Sequence, residues 1–104
     1  MGKYVLAYRG GGMAETEEAQ AAVMNQWMAW FGELGASVVD GGNPFGPSKK
    51  LASDGKVADG NDAGLTGYSI IDAASLDEAA AKAKGCPVLS SGGTIDVYET
   101  IAVG

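Results

Sequence analysis

Ser75-Leu76-Asp77-Glu78-Ala79-Ala80-Ala81-Lys82-Ala83-Lys84-Gly85-Cys86-Pro87 decides the fold, together with Ser90-Ser91-Gly92-Gly93 and the closing run Thr94-Ile95-Asp96-Val97-Tyr98-Glu99-Thr100-Ile101-Ala102-Val103. Ser75 and Glu78 stand at capping-box spacing, with the serine oxygen accepting from the third helical N–H and the glutamate reaching back to the serine N–H. Ala-rich sequence then favours a helix to about Lys84, and Lys82 and Lys84 suit its negative end. Gly85 stops the helix and Cys86-Pro87 turns the chain. The closing run alternates, with Ile95, Val97, Ile101 and Val103 on one face and Asp96, Tyr98 and Thr100 on the other, which predicts a long terminal strand over 94–103.

Working outward, Lys3-Tyr4-Val5-Leu6-Ala7-Tyr8-Arg9 is rich in aromatic and β-branched residues and reads as the first strand. Three glycines, 10–12, end it. Thr16 is placed to cap a helix with Glu17 and Glu18 in its first turn. Val23, Trp27, Trp30, Phe31 and Leu34 recur at helical spacing, Met24 and Met28 widen the stripe, and Gly35 fits the left-handed residue after a helix. Residues 36–40 read as a second strand. The prolines of 43–47 mark a loop. Residues 49–53 and 56–58 flank Asp54-Gly55 as a hairpin with a two-residue turn. Asp59 to Gly64 is a further loop, and residues 68–72 form another strand.

The order β-α-β, hairpin, β-α-β predicts a single α+β domain over residues 1–104: a ferredoxin-like split βαβ with an antiparallel sheet and an inserted hairpin. Both helices then cover one face of the sheet. The first strand is apolar in both registers, Tyr4, Leu6 and Tyr8 on one side and Val5 and Ala7 on the other. Such a strand is normally covered on both faces, so a second copy of the chain is expected on the uncovered side.

Composition limits the function classes. The 104 residues carry 7 basic and 13 acidic side chains, a net charge of −6. The only basic pair is Lys49-Lys50, so neither nucleic acid nor an anionic membrane surface is expected as a partner. No apolar run approaches the ~20 residues that span a bilayer. Met1-Gly2-Lys3 leads straight into strand-like sequence, with no secretory signal, and a cytoplasmic location is the expectation. Glycine is more than twice its usual ~7%, at 17 residues, and its clustering at element ends marks turns.

Four features resemble the YCII-related (DGPF) family: the Tyr-rich first strand, Asp59-Gly60, Gly67-Tyr68-Ser69-Ile70-Ile71, and the run from Ser75 to Val103. Asn61 and Asp62 stand where the Asp-Gly-Pro-Phe element has proline and phenylalanine. The resemblance implies a ferredoxin-like protomer and a dimeric α/β barrel built by two sheets packed face to face. Lyases and dehalogenating enzymes of that family use a His–Asp pair in the barrel pocket. This chain has no histidine, so that mechanism does not transfer, although Asp59 keeps the aspartate position.

The other chemical motifs read as structure. Glycines 10–12 lack the spacing of a phosphate loop, and Glu15, Glu17 and Glu18 place negative charge where an anion would bind. Trp27, Trp30, Met24 and Met28 fit packing, and with no proximal histidine no heme or other cofactor is expected. Cys86 has no histidine to activate it and reads as a buried structural residue. Asp40, Asp54, Asp59 and Asp62 read as solvated turn residues, so no metal site is expected. What remains is Tyr8, Arg9, Asp59 and Tyr98. Arg9, reaching Asp96 or Glu99 on the closing strand, suits a ligand carboxylate; Tyr8 and Tyr98 suit an oxyanion; Asp59 is the candidate base. The function expected is a small-molecule-binding homodimer. The alternatives are a lyase or isomerase, or a cofactor-free monooxygenase, acting on a small oxygenated compound with Asp59 as base. The monooxygenase alternative wants Trp27 or Trp30 facing the barrel.

Overall fold

A computed structural model describes residues 2–11, 16–60 and 64–103. Its elements are β1 (Gly2–Arg9), α1 (Glu17–Leu34), β2 (Val38–Asp40), β3 (Lys49–Leu51), β4 (Val57–Asp59), β5 (Leu65–Ala73), α2 (Leu76–Ala83), α3 (Pro87–Ser90) and β6 (Thr94–Glu99). The main sheet has the order β2-β5-β1-β6, all neighbours antiparallel. This is the ferredoxin-like split βαβ arrangement, with β3 and β4 forming a separate two-stranded sheet. The molecule is only 18 Å through its thinnest direction, the depth of one sheet and one helical layer.

Local chemistry sets the helix ends. Thr16 Oγ1 accepts from the Ala19 N–H at 3.0 Å, and Gly35 follows α1 at φ 54°. Ser75 Oγ accepts from the Glu78 N–H at 3.1 Å, while Glu78 Oε2 takes the Ala74 N–H at 3.2 Å, one residue earlier than the capping-box pattern predicts. Lys82, one turn on, lies 3.2 Å from Glu78 Oε1, and this contact, with the Ala74 bond, holds the Glu78 carboxyl below its usual range.

The helices cover one face of the sheet. Tyr4, Leu6, Tyr8 and Ile71 meet Trp30, Ala79, Ala83, Cys86 and Val88 in a buried core, with Trp27, Phe31 and Leu34 packed against it. Trp30 Nε1–H donates to the Lys82 carbonyl at 3.1 Å and ties α1 to α2. Ser69, fully buried among these residues, accepts from the Tyr8 hydroxyl at 2.7 Å and donates to the Gly41 carbonyl at 2.7 Å. Its burial therefore leaves no polar atom of the chain Tyr8–Ser69–Gly41 unsatisfied. Gly42 lies beside this relay at φ 77°, where a Cβ would collide with the Tyr68 carbonyl.

Several expectations need correction. Met24 and Met28 are 65% and 69% exposed, since one residue's rotation turns them off the inner stripe of Val23, Trp27 and Trp30. The second strand starts at Val38, after a 3₁₀ turn over Gly35–Ser37. Cys86-Pro87 opens the one-turn helix α3, with Pro87 at its first position, where a missing N–H costs nothing. The hairpin turn has three residues, 53–55: Gly55 N–H bonds the Ala52 carbonyl, Ala52 N–H bonds Lys56, and Gly55 adopts φ 88°. The closing strand stops at Glu99, the partner of Tyr4. Thr100 directs both its N–H and its hydroxyl to the Lys3 carbonyl, at 3.1 and 2.7 Å. Past that contact the chain leaves the sheet, and Ile101 and Val103 are 82% and 92% exposed. Gly12, Glu15, Asn61 and Asp62 lie outside the described residues.

Candidate functional site

Successive side chains on a strand point to opposite faces, so β1 divides its own residues. Tyr4, Leu6 and Tyr8 go under the helices, while Val5, Ala7 and Arg9 go to the face the helices leave open. The register extends both sets across the sheet. Ala7 is opposite Tyr68 on β5 and Asp96 on β6; Val5 is opposite Ile70 and Tyr98. The open face thus presents Val5, Ala7, Tyr68, Ile70 and Tyr98, of which Tyr98 is 54% exposed. Phe45, brought in by the 43–47 loop through its N–H bond to the Thr66 carbonyl at 2.9 Å, stacks on Tyr68 with ring centres 5.7 Å apart.

Charge on this surface lies towards the two ends of β1 and, on the edge strand β2, at Asp40, the partner of Ile70. Lys3 sits opposite Asp72 in the register at one end. At the other, Arg9 Nη2 lies 2.9 Å from Asp96 Oδ2, both side chains about 40% exposed, at 43% and 40%. The expected reach of Arg9 to Asp96 is therefore made. Glu99, the other expected partner, pairs with Tyr4 and so shares the opposite side of the sheet.

Of the four sequence-derived residues, the fold brings Arg9 and Tyr98 onto one face, with Asp96 between them along β6. Tyr8 does not join them. It is 5% exposed, packs edge-on against Trp27 at 5.4 Å, and its hydroxyl is committed to Ser69. Burial raises its pKa well above the ordinary phenol range. Asp59 also stands apart, at the end of β4 on the hairpin, with a 91% exposed side chain 2.8 Å from Lys49 Nζ. Period-two alternation alone separates Tyr8 from its neighbour Arg9, and the same rule applied to Tyr68 and Ala7 would have placed both in the site.

The remaining candidates take structural positions. Trp27 and Trp30 meet edge-on at 5.7 Å inside the helix–sheet layer, away from the open face. Cys86 is 2% exposed, and burial raises its thiol pKa. Asp40 accepts the Gly42 N–H at 2.8 Å and Asp54 the Lys56 N–H at 3.0 Å, each holding its own turn. Among the described residues no three acidic or thiol side chains gather as metal ligands, and no helix is long and apolar enough to cross a membrane.

An antiparallel split-βαβ sheet with helices on one face and a charged, apolar opposite face defines a class of small α+β proteins. Residues 3–103 match the model of the YCII-related domain, and the chain belongs to that family. Among solved structures it resembles 5-chloro-2-hydroxyhydroquinone dehydrochlorinase from Burkholderia phenoliruptrix AC1100, in complex with 2,5-dihydroxybenzoquinone. The TM-score is 0.53 at 17% identity, covering 91% of this chain and 90% of that one, a likeness of fold. No curated protein matches the chain.

Proposed function

We propose that the protein binds a small oxygenated molecule as a homodimer, in the chamber that two open sheet faces enclose. The observation that carries this reading is the open face itself: Val5, Ala7, Tyr68, Ile70 and Tyr98 form an apolar strip beside the Arg9–Asp96 pair. Contiguous exposed apolar surface favours association, and ligand sites are mostly apolar with a few fixed polar groups. Arg9 offers a fork for a carboxylate or enolate, and the Tyr98 hydroxyl a second donor. Membership of the YCII-related family supports the fold-level half of the reading.

Light scattering is expected to give two subunits per particle at micromolar concentration, and Ile70→Asp to give one, since a lone charge in an apolar interface is costly. A single-subunit wild type overturns the dimer. Because the structural relative was solved with 2,5-dihydroxybenzoquinone, that compound is the first probe. It is expected to raise the melting temperature of the wild type, and a melting temperature that it leaves unmoved counts against the ligand half of the reading.

The relative's dehydrochlorinase chemistry favours a second reading, a lyase or isomerase on an oxygenated ring with Asp59 as base. This reading requires the hairpin to deliver Asp59 to a ligand, for instance on a partner's open face. Asp59→Asn is the test: turnover of any substrate that survives the substitution unchanged removes Asp59 from the chemistry.

A further inference from the structure

Among Val5, Ala7, Tyr68, Ile70 and Tyr98 on the open face, Ala7 has the smallest side chain. Tyr68, Ala7 and Asp96 form a single row across β5, β1 and β6. Adjacent strands lie about 4.8 Å apart, so the tyrosine and the aspartate flank the Ala7 methyl at about 10 Å from each other. The neighbouring row, Ile70, Val5 and Tyr98, carries valine where this row has alanine at its centre. Phe45 backs the Tyr68 ring at an interplanar angle of 19°. The result is a shelf with an alanine floor, an aromatic wall on one side and the Arg9–Asp96 pair on the other.

That pair is imperfect. Asp96 Oδ2 is buried from solvent and lies 2.9 Å from Arg9 Nη2, yet it accepts no aligned hydrogen bond. A guanidinium prefers two parallel N–H bonds to both oxygens of one carboxylate. A buried oxygen without an aligned donor carries an unrecovered desolvation cost. The contact therefore holds Arg9 by charge without using its fork well, and a better-placed carboxylate competes for it.

Resting on the small-molecule reading above, we propose that the shelf takes a planar ligand with a single carboxylate, its ring flat on Ala7 and beside Tyr68, its oxygens on the Arg9 fork. Asp96 is the specificity-determining residue. It competes with the ligand for Arg9, which admits only anions able to make the bidentate bond, and it repels a second negative charge on the ring. Neutral ring compounds gain nothing from Arg9 and bind only through the apolar floor.

Benzoate, benzamide and phthalate are suitable probes, titrated by NMR into the intact protein. Wild type is expected to prefer benzoate to benzamide, and benzoate to phthalate. Asp96→Asn should tighten benzoate about tenfold, the scale of one charge-assisted hydrogen bond, and leave benzamide unchanged. Arg9→Gln should erase the preference for benzoate. Ala7→Leu, filling the floor, should weaken both single-ring probes together. Benzoate binding that Asp96→Asn leaves unchanged or weakens, or a preference that survives Arg9→Gln, overturns the proposal, as does the absence of measurable benzoate binding to Asp96→Asn. If that variant does not fold, the wild-type order decides: phthalate binding as tightly as benzoate overturns it. A dimer without this discrimination sinks the carboxylate shelf alone, while a monomer that retains it sinks only the dimer.

Discussion

The two faces of one sheet, built from alternate residues of the same strands, make different uses of similar side chains. Under the helices, Tyr4, Leu6, Tyr8 and Ile71 are closed off, and the one hydroxyl pair among them, Tyr8 and Ser69, is fully hydrogen-bonded. On the open side, Tyr68, Ile70 and Tyr98 remain accessible and the charged pair Arg9–Asp96 is left misaligned. A buried polar group costs stability unless its partners are in place. The covered face has met that requirement within the protomer. The open face has kept an apolar strip and an underused cation, the two properties a ligand site needs.

The comparison breaks most readily at its centre. Leu6→Ala should cost about 2–5 kcal/mol of unfolding free energy, because Leu6 is fully buried and its cavity cannot fill with solvent. Ala7→Gly, one residue away on the open side, should cost less than half as much, and chemical denaturation of the two variants measures the difference directly. Equal losses would mean the open face is packed as tightly as the core.

Tyr8→Phe sharpens the same contrast more gently. It removes the donor to Ser69 but leaves Ser69 bonded to Gly41, so a loss of about 1 kcal/mol is expected. Ligand affinity should not change, because the hydroxyl lies on the wrong side of the sheet. A clear loss of binding in Tyr8→Phe, with stability intact, would return Tyr8 to the site.

The smallest effect concerns pH. The Glu78 carboxyl titrates below its usual range because of Lys82 and the Ala74 N–H. A depressed folded pKa stabilises the fold above the unfolded value and loses that contribution as pH falls through the folded value. Wild type should therefore lose melting temperature on acidification below about pH 4.3, the ordinary glutamate value, by slightly more than Glu78→Gln does. Identical acid profiles for the two proteins would remove this contact from the stability of α2.

Much of the covered layer is legible in the sequence. Thr16, Gly35 and Ser75 announce helix ends because a cap is a contact over three or four residues, and the alternation of residues 3–9 announces a strand with two apolar faces. The legible signals weaken where a distant partner decides. Thr94 to Val103 has strand periodicity throughout, yet β6 ends at Glu99, where Thr100 turns both its N–H and its hydroxyl onto the Lys3 carbonyl. Met24 and Met28 widen the apolar stripe by helical spacing, and their exposure follows from where the sheet lies under α1. Arg9, Asp59, Tyr8 and Tyr98 read as one group of suitable chemistry, but only Arg9 and Tyr98 share a surface.

By itself the sequence determined the order of the strands and the two longer helices and the existence of a sheet face that those helices cannot cover, since these follow from caps, turns and periodicity acting over a few residues; the family came from the resemblance of whole motifs. Tertiary structure alone decided which chemical groups meet. Register sets Ala7 between Tyr68 and Asp96, and it does so through hydrogen bonds between strands more than fifty residues apart in the chain, whose alignment no local pattern encodes.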